Sequence, residues 1–170
     1  MFRAVLLVCA VLALGDAQIT QVSQCIGSSA GPVPLLTIVE GCGTPPCVVP
    51  QGQDAVISMV FQAPRVIHNM KTLAMTYLLT IPVPLDLKEL SETCNFLINT
   101  YCPVEPGILI VYQLRMLIED FWPIETQWPL EFRIVDDNDV TVTCARVAIH
   151  IAPPVLEKLG AQNATMSVDV

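Results

Sequence analysis

The chain has 170 residues, of which 53% are hydrophobic and 14% charged, and a formal net charge of −8. The length suits one ordinary domain, and the charged share, well below the roughly 25% of typical globular domains, leaves a surplus of apolar side chains to bury. So acidic a chain argues against nucleic acid or an anionic membrane surface as the partner, because both attract basic faces.

Met1-Phe2-Arg3, the apolar run from Ala4 to Leu14, and Gly15-Asp16-Ala17 fit the three regions of a secretory signal peptide. The run holds eleven residues, short of the roughly 20 that span a bilayer. Cleavage after residue 17 removes Arg3 and Asp16, so seven basic and fifteen acidic residues remain and the charge stays at −8. Cys9 leaves as well, and six cysteines in an oxidising compartment read as disulfides. Cys42 and Cys47 flank the turn-forming Gly43-Thr44-Pro45-Pro46, and Cys94 and Cys102 bracket a short loop. By elimination Cys25 pairs with Cys144.

Between these cysteines short strands alternate with turns. The run Ala55 to Phe61 puts Ala55, Ile57, Met59 and Phe61 on one face and turns Ser58 and Gln62 to solvent. His68 falls in a polar link. The segment Leu78 to Leu85 carries Pro82 and Pro84, which cannot donate to a central ladder, so an edge or loop with a contact role is expected. From Arg115 to Pro123, Met116, Ile118 and Trp122 form an apolar group between charges and read as a pocket rim. Leu130, Phe132 and Ile134 point inward in the next strand, with Glu131 and Arg133 outward.

Asp136-Asp137-Asn138-Asp139 suits a hairpin turn. Calcium is not expected there, since Thr141 occupies the position of the loop glycine and Val147 that of the bidentate glutamate. The last strand runs through Val147, Ile149 and Ile151, with His150 outward and a bulge expected near Ala145-Arg146, and Pro153-Pro154 ends it. The reading is therefore all-β: an immunoglobulin-like sandwich of seven to eight strands over residues 18–152, with an apolar cavity between the sheets, a leader over 1–17 and a tail over 153–170. The tail holds the sequon Asn163-Ala164-Thr165. No nucleophile and base, metal cluster, phosphate loop or dinucleotide fingerprint stands out, so neither catalysis, metal nor cofactor is expected.

Taken together, Gly31 to Ile38, Gly41-Cys42-Gly43-Thr44-Pro45-Pro46-Cys47, Gly52, Phe61, Ile81-Pro82-Val83-Pro84, Cys94, Cys102-Pro103-Val104, Tyr112, Pro123, Asp136-Asp137 and Cys144 carry a resemblance. The chain resembles the ML lipid-recognition domains, in particular the Niemann-Pick type C-two group. The resemblance implies a sandwich whose sheets admit a lipid, the same three pairings and no catalysis. It places the pocket entrance on Val83, Leu85, Ile118, Trp122 and Pro123, where alanine at Ile118 or Trp122 is expected to weaken lipid binding with thermal stability largely intact.

The pocket lining is expected from Ile38, Ile57, Met59 and Phe61 in the first half. In the second it is expected from Leu79, Tyr112, Leu130, Phe132, Ile134, Val147 and Ile149. The expected protein is a secreted monomer, with the lysosomal lumen as a second compartment. It would carry a sterol, fatty acid or semiochemical and pass it to a membrane or receptor. The competing expectation is an innate-immune or signalling module that recognises a microbial lipid or a protein.

Overall fold

A computed structural model describes residues 18–27 and 30–155. The expected leader with Cys9, the sequon at Asn163 and the tail from residue 156 lie outside the described residues.

Eight strands follow in order: β1 (Leu36–Val39), β2 (Cys47–Pro50), β3 (Asp54–Gln62), β4 (Met70–Leu78), β5 (Ile81–Leu85), β6 (Leu109–Leu117), β7 (Thr126–Asp136) and β8 (Thr141–Ala152). They make two sheets, ordered β1-β3-β6 and β2-β8-β7-β4-β5, so the all-β sandwich stands. Period-two geometry fixes the facing residues: Met59 opposes Tyr112, and Ile57 opposes Leu114, on the smaller sheet. Leu130, Phe132 and Ile134 line the inner face of the larger one, and all are buried.

The three disulfides are Cys25–Cys144, Cys42–Cys47 and Cys94–Cys102. The first ties down the N-terminal segment, which pairs at the edge of β8, where Ser23 and Arg146 exchange backbone hydrogen bonds of 2.9 and 3.0 Å, and then passes over the outer face of the larger sheet at Ile26. That cover overturns the solvent-facing placement of Glu131, which is fully buried. Its carboxylate accepts from the Ile26 N–H at 2.8 Å and the Tyr77 hydroxyl at 2.9 Å, with Arg146 at 3.8 Å. Strand alternation alone does not reveal a second chain segment on the outer side.

The bulge of β8 is displaced from its expected position. Pairing slips at Ile134/Val135, whose partners are Thr143 and Thr141, so Val142 is the extra residue rather than Ala145 or Arg146. The unbroken burial from Val142 to Ala145 reflects cover on both faces. The Asp136 hairpin forms as expected: its carboxylate accepts from the N–H groups of Asn138 and Val140, both at 2.9 Å, and from Arg65 Nε at 2.7 Å.

β5 is an edge strand paired only with β4, and a two-residue turn at Leu79-Thr80, with Leu79 at φ +60°, joins them. Antiparallel residues alternate between bonded and non-bonded positions, so prolines two apart can both direct their donorless nitrogens to the open edge.

Candidate ligand-binding site

β6 ends the smaller sheet and β5 ends the larger; Glu92 pairs with Lys71 of β4 and Leu97 with Tyr112 of β6, so one segment straps the sheets there, but no ladder joins β5 to residues 114–117 of β6. A groove of about 430 Å³ occupies the gap. Val83, Pro84, Leu85 and Lys88 form one wall; Met116, Leu117, Phe121 and Trp122 form the other. The loop after β6 is held in place from outside. Gly52 N–H donates to Ile118 O at 2.7 Å, Ile118 N–H donates to Gln53 O at 2.9 Å, and the Gln51 amide donates to Asp120 O at 2.9 Å and Trp122 O at 3.0 Å. Trp122 stacks on Phe121 with centroids 5.3 Å apart and meets Trp128 edge-on at 5.7 Å.

Met116 lines this groove and also a second space deeper between the sheets. The inner space is walled by Leu114, Ile118, Leu130, Phe132, Val147 and Ile149, with no charged side chain in its lining. Its cavity volume is about 20 Å³, room for about one water. The expectation of a ready-made cavity for a lipid is corrected accordingly: the inner faces already touch, because aliphatic side chains of this size interdigitate across a gap of about 10 Å. Behind the void, Tyr112 is fully buried, and its hydroxyl lies 2.8 Å from Thr72 Oγ1, which lies 2.7 Å from Thr93 Oγ1. Burial pushes the Tyr112 pKa up to about 12, partly offset by the hydrogen bond from Thr72, so the phenol stays neutral.

Residues 20–151 match the model of the ML domain family. The chain belongs to the ML domain family. A solved structure similar to this ML domain is a Niemann-Pick type C2 protein from Japanese carpenter ant, at 21% identity and TM-score 0.66 over 77% of this chain and 98% of that one. A second is chicken MD-1 complexed with lipid IVa, at 12% identity and TM-score 0.42 over 66% and 77%. No curated protein matches the chain in sequence.

Of the residues expected to line the pocket, this ML domain brings Ile57, Leu130, Phe132, Val147 and Ile149 to the void, joined by Ile118 from the expected entrance. Met59, Phe61, Tyr112 and Ile134 are buried deeper. Two expectations fail. Ile38 pairs with Ser58 on the outer face, so Val39, which opposes Ile57, is the inward residue of β1. Leu79 is 92% exposed at the tip of the β4–β5 turn, too far out to line anything.

At the entrance, Val83, Leu85 and Trp122 line the groove, while Pro123 is exposed beside it and outside its lining. Ile118 and Trp122 are 1% and 6% exposed and belong to the core, so the expected tolerance of alanine there is also corrected. Met116, expected at the rim, reaches the void as well, and Leu114, the lining residue of β6 that was missed, was signalled by counting in twos from Tyr112; Val39, Val49, Ala55 and Val56 complete the wall. His68 is exposed as expected; His150, expected outward on the surface, is partly covered, with Nε2 3.4 Å from Glu125. Among the described residues, one trio has metal-ligand spacing: Cys25, Cys144 and Glu131, the first two already disulfide-bonded.

Proposed function

We propose that this ML domain is a secreted, monomeric carrier that holds one hydrophobic small molecule, a sterol, fatty acid or similar lipid, between its sheets. The observation that carries the reading is Met116, the one side chain shared by the outer groove and the uncharged inner space. Methionine is unbranched and adaptable, which suits a gate. Loading requires the sheets to part, and between β5 and residues 114–117 of β6, beyond the strap at Glu92 and Leu97, no ladder resists that motion. Burying about 400 Å² of apolar guest is worth roughly 10 kcal/mol, which leaves about 6 kcal/mol, or tens of micromolar, once about 4 kcal/mol of association costs is met.

Exposed Phe121 at the mouth, with exposed Leu78, Leu79 and Ile81 further along the β4–β5 hairpin that supplies one wall, gives a membrane or receptor an apolar surface for hand-off. Three disulfides suit an oxidising compartment, extracellular or lysosomal.

The test is titration with a fluorescent sterol and a fluorescent fatty acid. The wild type should saturate at one ligand per chain in the micromolar range, and Met116→Trp should weaken binding by about tenfold by plugging the throat, a loss of about 1.4 kcal/mol. Absent saturation, or indifference to Met116→Trp, contradicts the proposal. One observation favours the second reading, a partner-binding module: Leu36, Val60 and Val111 form a cross-strand row on the outer face of the smaller sheet, flanked by exposed Leu109 and Ile98. In that case binding would be lost with Leu36→Asp and kept with Met116→Trp.

A further inference from the structure

The layer of side chains behind the void contains a hydrogen-bonding account that does not close. Tyr112 lies two residues beyond Leu114 on β6, about 7 Å deeper. It faces Thr72 of β4, and with Thr93 the three hydroxyls form a chain, all at most 1% exposed. Three hydroxyls bring three hydrogens to two hydrogen bonds.

Thr72 donates to Tyr112, so Thr93 donates to Thr72 and the Tyr112 hydrogen has no acceptor among the described residues. One buried O–H donor is left unspent, which is costly in an apolar interior. Thr37 extends the same cross-strand row, Thr37 to Met59 to Tyr112, and its buried hydroxyl also lacks a partner. Charge points the same way: the void has no ionised lining, and at the mouth Lys88 is outnumbered by Asp86 and Glu119. A carboxylate would be unpaired inside and opposed outside.

We propose that the guest is an uncharged oxygenated chain lipid, such as a long-chain alcohol or aldehyde, which passes Met116 oxygen-first and accepts the spare hydrogen of the Thr72, Tyr112 and Thr93 chain. This rests on the carrier reading and narrows its ligand class.

The experiment compares dodecanol, dodecane and dodecanoate as displacers of a fluorescent probe from the full secreted chain at neutral pH. The triple substitution Thr72→Val, Thr93→Val and Tyr112→Phe removes all three hydroxyls together, so none is left orphaned. It should weaken dodecanol by about fivefold, the worth of one neutral hydrogen bond, and leave dodecane unchanged. Wild-type chain loaded with labelled dodecanal supplies a readout independent of the variant: its carbonyl stretch should fall below its value in hydrocarbon solvent. An unshifted stretch, equal effects of the triple substitution on dodecanol and dodecane, or dodecanoate binding more tightly than dodecanol overturns the inference and leaves the carrier reading intact. Failure of all three ligands to displace the probe overturns both.

Discussion

Asp136 shows how one side chain can fix a turn and report on it. Burial works to raise its pKa, but the Val140 N–H, Arg65 and the Asn138 N–H together hold it below the ordinary aspartate value. The unfolded chain therefore takes up this proton first as pH falls. The stability it contributes is complete above the ordinary aspartate pKa of about 3.9 and is lost as pH drops through the lower folded value. Asp136→Asn should cost about 2 kcal/mol at neutral pH and flatten the acid limb of a plot of stability against pH, measured by urea denaturation. An unchanged acid limb would remove Asp136 from the account. The turn was legible because Asp and Asn have a local reason to be there. Ile38 was misread for the opposite reason: in Leu35-Leu36-Thr37-Ile38-Val39 apolar residues fall on both faces, and only the register with β3 decides which points inward.

At the scale of elements, the loop from Ile118 to Glu125 divides into parts that carry stability and parts that present surface. Trp122 is packed in the core and Phe121 is exposed. Trp122→Ala should cost about 3 kcal/mol and lower Tm by about 10 °C, whereas Phe121→Ala should leave Tm within about 2 °C. Differential scanning calorimetry of the two variants distinguishes them, and equal Tm losses would contradict this division. The apolar character of the loop was readable from its composition. Its burial was not, because Trp122 is held by Gln51, a residue 71 positions away that no local pattern connects to it. β5 was better placed, since its prolines exclude a central position in any sheet.

For the whole molecule, the Cys25–Cys144 link spans 119 residues and ties the N-terminal cover to the last strand. Chain entropy assigns it about 5 kcal/mol, against about 2.5 for the Cys94–Cys102 loop. Serine at both ends should therefore destabilise the first pair about twice as much as the second in urea titrations, and the reverse order would overturn the entropic assignment. Two sheets, three pairings and the inward faces of β3 and β7 followed from alternation and cysteine spacing. The closeness of the sheets did not, since it depends on how opposing aliphatic side chains interlock. The central claim is that these closed sheets part at the β5/β6 seam for one guest. Native mass spectrometry of the full chain recovered from a secreting cell tests it most directly. The account predicts a population heavier by one extractable lipid per chain, reduced in Met116→Trp; a single unliganded mass that no added sterol, alcohol or fatty acid shifts would contradict it.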